Sequence, residues 1–300
     1  MTRTLVTGGS GRLGRSVVTM LVEAGHDVVS VDRETVPGLA AEQVRADLSD
    51  ASIARETIEA SRADAVVHLA AIAVPFSAPE QHILTTNTTL ASNVMLAAAE
   101  LGITKLVAAS SPTVIGYGAP GGWTPTRLPL DEAEPTLPWN AYSLSKLMIE
   151  GVGRMLALHS NDTVRFAAFR PCYVIAPEEW DGAPTQQGHT VQERLTNPAL
   201  AAPALFNYVD ARDAARFVVM TLDALNDIPN AQTFFVGAAD ALAREPLADL
   251  LPRFHPSTAG LAQDLSGTTP AFSIAKARDL LGWEPHHSWR TALTTTLESA

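Results

Sequence analysis

The stretch Thr4-Leu5-Val6-Thr7-Gly8-Gly9-Ser10-Gly11-Arg12-Leu13-Gly14 decides the fold. A short β-prone run leads into a glycine cluster, which opens onto apolar residues at helical spacing over positions 13–23. Glycines at 8, 11 and 14 let the backbone turn tightly, approach a pyrophosphate and pack a helix closely on a strand. The start of that helix offers unpaired N–H groups and the positive end of its dipole, both suited to phosphate. A glycine triplet alone is weak, since turns need glycine anyway; a place between strand and helix gives it weight. Gly8, Gly11, Arg12, Leu13 and Gly14 are therefore expected to hold a dinucleotide.

Asp32 closes the next strand-like run, 27–31, near the spacing of about 20 residues expected of an acid that binds the adenosine ribose. Its carboxylate would accept from the 2′- and 3′-hydroxyls and repel a 2′-phosphate, which favours NAD. Arg33 beside it could instead welcome that phosphate, so NADP stays open.

Outward from this start, strand-like and helix-like runs alternate. Positions 52–61 read as a helix, 65–69 as a buried strand, 88–101 as a helix ended by Gly102, and 105–110 as a strand. A helix over 142–159 and a strand over 164–170, stopped by Pro171, complete the first half. This alternation implies an α/β fold with parallel crossovers, a Rossmann-type doubly wound sheet. Beyond 171 the pattern loosens. Positions 176–203 are rich in Pro, Gly, Gln and Thr, and then come a strand at 204–209, a helix at 210–225, a strand at 232–236 and a helix at 274–281. The expected organisation is a dinucleotide-binding core over 1–170. A small C-terminal substrate-binding lobe over 171–300 would be interleaved with elements that return to the core.

Composition narrows the partners. Among 300 residues, 46% are hydrophobic and 18% charged, ordinary for a chain with a substantial core. A net charge of −11 disfavours nucleic acid and anionic membrane surfaces. Cys172 is the one cysteine, which excludes an intrachain disulfide and a multi-cysteine metal site, and no metal is expected. The apolar runs fall short of the ~20 residues a membrane span needs, and nothing at the start reads as a signal peptide, so the expectation is cytoplasmic.

Tyr142-Ser143-Leu144-Ser145-Lys146 puts a phenol and an ammonium at i and i+4, on one helix face. A free tyrosine, with a pKa of about 10, is a poor base at neutral pH, and a nearby ammonium favours the phenolate. Ser110-Ser111 ends the preceding strand, where a hydroxyl can hold a substrate oxygen. An isolated Tyr-x-x-x-Lys is common on helix surfaces. Downstream of a dinucleotide loop, with a serine pair at the strand end between, it points to general acid–base chemistry.

These motifs resemble the extended short-chain dehydrogenase/reductases, the NAD-dependent epimerase/dehydratase family, over nearly the whole chain. The matching signatures are the glycine loop, Asp47-Leu48, His68-Leu69-Ala70-Ala71, Asn87, Ser110-Ser111 with Gly116, Tyr142 with Lys146, and Arg170-Pro171. Lys276-Ala277-Arg278 and Leu281-Gly282-Trp283 match toward the C-terminus. The resemblance implies that Asp47 and Leu48 frame the adenine, that Leu69, Ala70 and Ala71 lie along the cofactor, and that Pro171 meets its carboxamide end. Asn87 would support a catalytic water or loop. Lys146 would hold the nicotinamide ribose and lower the Tyr142 pKa, with Tyr142 as general acid/base and Ser111 positioning the reacting oxygen. For His68, local hydrogen bonding is the expected role.

Departures from the family pattern bear on the substrate. Dehydrating members carry a Thr-Asp-Glu run where this chain has Ser111-Pro112-Thr113, so elimination of water is not expected. Nucleotide-sugar epimerases usually place an Asn where Tyr173 follows Arg170-Pro171-Cys172, and often an Arg at the position of Phe206, both for phosphate. These losses favour an oxidoreductase acting on a secondary alcohol of a small polyol, sugar or sugar acid. Val74, Ser111, Thr113, Tyr142, Cys172 and Arg212 would face that substrate, with Trp123, Trp139 and Trp180 as further candidates. Arg194 and Arg212 are the residues that would supply phosphate contacts instead, and Arg212 could equally pair with Asp213. The alternatives are a nucleotide-sugar epimerase that keeps its NAD and a non-catalytic dinucleotide-binding regulator. Apolar residues beyond one face at 88–101 (Leu90, Val94, Met95, Leu96) and 142–158 (Leu144, Leu147, Met148, Ile149) suggest a homodimer.

Overall fold

Val and Ala dominate the strands, as expected where a sheet is covered on both faces. In the computed structural model, which describes residues 2–298, nine strands appear in chain order. They are β1 (Arg3–Thr7), β2 (Asp27–Asp32), β3 (Glu42–Arg45), β4 (Ala65–His68), β5 (Lys105–Ala109), β6 (Arg165–Pro171), β7 (Val174–Ile175), β8 (Val209–Asp210) and β9 (Gln232–Val236). Seven form one sheet in the order β3-β2-β1-β4-β5-β6-β9, and β7 pairs with β8 separately. From β3 through β6 every pairing is parallel, with Thr7 opposite both Val31 and His68. Strand order reverses at β1, so the switch point of this doubly wound sheet falls beside β1 and β4, where such sheets bind ligands.

The helices are α1 (Arg12–Glu23), α2 (Ala51–Ser61), α3 (Glu80–Glu100), α4 (Ala141–His159), α5 (Pro177–Trp180), α6 (Val191–Thr196), α7 (Ala211–Ala224), α8 (Leu247–Phe254), α9 (Ala259–Ala262), α10 (Ala275–Leu281) and α11 (Trp289–Glu298). Strand alternation sorts the core. Leu5, Val29, Val31, Val66, Leu106, Phe166 and Ala168 point to one face and join Ile58 of α2, Val94 and Met95 of α3, and Ile149 and Leu156 of α4. Phe169, one residue out of step with Ala168, packs instead on Phe217 of α7 at 5.8 Å between ring centroids.

The chain divides into two compact units. The first comprises residues up to Val114, Pro138–Arg170 and Ala215–Phe234; the second comprises Ile115–Leu137, Pro171–Ala214 and the chain from Phe235 onward. The second has its own core of Tyr173, Ile175, Trp180, Val191, Leu195, Tyr208 and Trp289. Asp213 ties its C-terminal segment down by accepting from the backbone N–H groups of His286 and His287.

Three expectations need correction. The helix expected from 88 begins at Glu80. The strand expected over 204–209 reduces to Val209–Asp210, because Leu205 and Phe206 adopt left-handed conformations (φ 51° and 59°) after a 3-10 turn. The loose stretch 176–203 contains α5 and α6. No helix among the described residues is long and apolar enough to cross a membrane. Among the same residues, no group of three or more His, Cys, Asp or Glu side chains could hold a metal ion.

Candidate active site

The glycine turn is built by close approach. Gly8 has φ +73°, and a Cβ there would stand 2.7 Å from the Ala70 backbone nitrogen; one on Gly14 would meet the Gly8 carbonyl oxygen at 2.0 Å. Both positions therefore require glycine, and the turn lies directly against the backbone that leaves β4. Gly11 caps α1 without a side-chain hydrogen bond, and the first turn carries no acidic residue, which leaves its N–H groups to an anion. Asp32 at the end of β2 accepts from Ser10 N at 3.1 Å and from Arg33 N at 2.7 Å. A glycine-built turn, an open helix start and a carboxylate bonded to the turn fit a dinucleotide with an unmodified ribose. Asp47 lies beyond β3 and accepts from Ser49, whose side chain and then backbone hold its carboxyl below the usual range. The Leu48 side chain belongs to the core.

After β4, Leu69, Ala70 and Ala71 are half-buried. The Thr7 hydroxyl binds His68 Nδ1 at 2.9 Å and accepts from Ala70 N at 3.3 Å. His68 is buried, and burial, followed by the charge of Lys146, pushes its pKa down to about 3, so the ring is neutral. Its bond is local, as expected from the sequence. Asn87 of α3 accepts from Ile72 N at 2.7 Å and donates to Ile72 O at 3.2 Å and to Ser145 Oγ at 3.0 Å. It thereby fastens the loop after β4 to α4. Val74 in that loop has its carbonyl engaged by Ser77, and Phe76 stacks on Trp139 at 5.5 Å.

Ser111 follows β5, and Tyr142 opens α4 behind an Asn140–Ser143 capping box. The Thr113 hydroxyl donates to Ser111 Oγ at 3.0 Å, and the Ser111 hydroxyl is hydrogen-bonded in turn to the Tyr142 phenol. Burial pushes the Tyr142 pKa up to about 12, and the Ser111 bond works against that rise. Lys146 lies one turn along the same face, its Nζ 5.8 Å from the phenol ring centroid and donating to Ala109 O at 3.0 Å. Burial pushes its pKa down to about 8. The expected electrostatics thus change in one respect: in this arrangement the serine hydroxyl, rather than the lysine charge, counters the upward shift of the phenol.

The chemistry-bearing side chains of the first unit come together at the ends of β1, β4 and β5 and on α4. Sequence reading overlooked the carboxylate beneath them. Glu150, fully buried, binds Arg170 Nε and Nη2 at 2.8 and 3.0 Å and Ser110 Oγ at 2.6 Å. The available signal was a glutamate four residues after Lys146 together with an arginine at a strand end. In the second unit, Pro171 ends β6, and the buried Cys172 thiol lies against Gly237, where an added Cβ would come within 2.9 Å of its sulfur; burial raises the thiol's pKa. Arg212 is bound in a fork to Asp210 at 2.9 and 2.6 Å, not to Asp213, which is engaged by the C-terminal backbone. The Asp210 carboxylate also accepts from Trp180 Nε1 at 2.7 Å. Arg194, buried, stacks 4.1 Å over the Tyr173 ring, and Phe206 packs on Phe254.

A model of the NAD dependent epimerase/dehydratase family matches residues 4–237. The chain belongs to this family. It is accordingly an NAD-dependent enzyme of the extended short-chain dehydrogenase/reductase type, and NAD is the cofactor that membership assigns to it. Among its relatives, UDP-glucose 4-epimerase of Azospirillum brasilense is 37% identical over 156 residues, covering 49% of this chain and 42% of that one. UDP-glucose 4-epimerase of Corynebacterium glutamicum is 27% identical over 323 residues, covering 99% and 94%. Among solved structures, a UDP-glucose-4-epimerase from Stenotrophomonas maltophila with bound NAD and formylated UDP-arabinopyranose matches with a TM-score of 0.75 at 21% identity, covering 99% and 97%. A short-chain dehydrogenase/reductase superfamily protein from Agrobacterium tumefaciens with bound NAD matches at 0.72 and 23%, covering 99% and 96%. These structural likenesses establish the shared fold.

Proposed function

We propose that this chain is a nucleotide-sugar 4-epimerase that retains NAD through the catalytic cycle. The observation that carries the chemistry is the Thr113–Ser111–Tyr142 chain of hydroxyls with Lys146 buried one helical turn from the phenol. The substrate class rests on relatives named UDP-glucose 4-epimerase, one of them aligned over nearly the full chain. This reading replaces the polyol or sugar-acid oxidoreductase as the first choice.

NAD, when bound, supplies reversible hydride acceptance; the protein handles the proton. Gly8, Gly11, Arg12, Leu13 and Gly14 would hold the pyrophosphate, Asp32 the adenosine ribose, and Asp47 and Leu48 the adenine. Leu69, Ala70, Ala71, Asn87 and Pro171 would line the rest of the cofactor. Tyr142 takes the proton of the sugar hydroxyl at Oη and later returns it. Ser111 holds the reacting oxygen through its hydroxyl, and Thr113, by donating to Ser111 Oγ, orients that hydroxyl toward the phenol. Lys146 holds the nicotinamide ribose and favours the phenolate when its ammonium faces the phenol. Val74, Cys172 and Arg212 belong to the proposed substrate surround, and residues 171–300 to the substrate-binding lobe.

One observation favours the second reading, a sugar-acid or polyol dehydrogenase. Tyr173 and Phe206 occupy the positions expected of phosphate ligands, and Phe206 is fully buried. Incubation with UDP-glucose, followed by proton NMR of the anomeric region, separates the two. Interconversion with UDP-galactose without consumption of added NAD supports the epimerase. Steady NADH formation from uronic acids or polyols, with UDP-sugars unchanged, would replace it with the dehydrogenase.

A further inference from the structure

Glu150 takes no part in the proton chemistry above, yet it is a fully buried carboxylate beside that chemistry. Tyr142, Lys146 and Glu150 stand at i, i+4 and i+8, one stripe of α4. Oε1 of Glu150 accepts from Arg170 Nε at 2.8 Å and from Ser110 Oγ at 2.6 Å; Oε2 accepts from Arg170 Nη2 at 3.0 Å and from Arg154 Nη1 at 3.5 Å. Ser110 immediately precedes Ser111, and its hydroxyl also approaches Lys146 O at 3.4 Å. Ser110 N donates to Phe169 O at 2.7 Å, which joins the ends of β5 and β6. One carboxylate therefore joins the middle of α4 to the ends of both strands.

Two apolar side chains of matched volume would hold α4 on the sheet as firmly or more so, because desolvating an ion pair is expensive. A forked Arg–carboxylate pair adds direction, since two parallel hydrogen bonds fix rotation as well as distance. A slip of α4 by one residue would move it about 1.5 Å and turn it by about 100°, breaking every one of these bonds. We propose that Glu150, clamped by Arg170 and Ser110, is a positioning residue that sets the register of α4 on the ends of β5 and β6 and thereby the approach of the Ser111 hydroxyl to the Tyr142 phenol. The proposal rests on Ser111 and Tyr142 being the proton-handling pair, but their mutual placement can be read without turnover.

The experiment is NMR of the NAD-loaded protein labelled with ζ-13C tyrosine. The chain has four tyrosines, and Tyr142→Phe assigns the relevant signal. Ser111→Ala defines the shift caused by losing the serine bond. Glu150→Met with Arg170→Met removes both charges, and Ser110→Ala leaves the Glu150–Arg170 pair intact while removing the β5 limb. A positioning role predicts that both variants move the Tyr142 signal in the direction set by Ser111→Ala. It also predicts a kcat at least about tenfold lower with KM within about twofold. An unmoved Tyr142 signal in the folded double variant overturns the proposal. Should that variant fail to fold, Ser110→Ala decides alone by the same signal. Wild-type protein that epimerises no nucleotide sugar, while these shifts still appear, overturns the proposed function and supports the clamp.

Discussion

Lys146 pays the cost of a charge taken out of water, and its pH dependence reveals it. Burial lowers its pKa from 10.5 to about 8. Between those values the unfolded chain holds a proton that the folded chain has released, so stability rises with pH across this window and falls as pH drops through about 8. Lys146→Met removes that dependence. The stability of wild type relative to the variant is therefore expected to rise by on the order of 3 kcal/mol between pH 8 and pH 10.5; thermal unfolding of the two proteins across that range checks it. A difference between the two proteins that does not change with pH would contradict the lowered pKa of Lys146. The same residue marks how far sequence reading reached. The i, i+4 spacing identified the phenol and the ammonium, but not the electrostatic balance. That balance depends on Ala109 O lying 3.0 Å from Nζ and on the Ser111 hydroxyl lying at the phenol, both contacts made across the fold. The partner of Arg212 stayed open in the sequence for a related reason. Its fork on Asp210, two residues back, wins over the adjacent Asp213, which the distant backbone of His286 and His287 claims.

Helix α4 shows at the scale of an element how closely the site's carrier is fitted. A Cβ on Gly153 would lie 2.2 Å from Phe166 Cζ on β6, whereas one on Gly151 would meet nothing within 4 Å. Alanine improves helix propensity at both positions by about 1 kcal/mol. At 153 overpacking costs about 1–3 kcal/mol and reverses the gain. Chemical denaturation should therefore find Gly153→Ala less stable than wild type and Gly151→Ala equal or more stable; equal effects at the two would contradict the packing. Legibility varied from element to element with the local signal. β1, α1, β2 and β5 follow from β-prone runs and apolar residues at helical spacing. The first two turns of α3 were missed because Thr85, Thr86 and Asn87 are weak helix formers, and its N-cap Pro79 makes no side-chain bond. There Thr85 and Thr88 bond back to Gln81 O and Leu84 O, and Glu80 accepts from Ala141 N at the start of α4. Residues 204–209 misled in the opposite direction. A short apolar run does not tell strand from buried turn, and Leu205 and Phe206 bury their side chains from a left-handed backbone.

For the molecule as a whole, the outer faces of α3 and α4 remain to be explained. Val94, Met95 and Ile149 turn into the core, but Leu96, Leu144, Met148 and Met155 stay 36–48% exposed, and Leu158 reaches 80%. Such a stripe fits the homodimer proposed from sequence. Sedimentation at micromolar concentration should give a dimer, and Leu144→Glu with Met148→Glu should give a folded monomer; a wild-type monomer would remove the proposal. Tyr142 is the group on which the proposed chemistry turns, exchanging the substrate proton beside bound NAD. Its most direct test is Tyr142→Phe, measured for NADH affinity by fluorescence and for UDP-sugar interconversion by NMR. The predicted result is affinity within about twofold of wild type and turnover lower by at least about a hundredfold. Turnover equal to wild type would contradict the account.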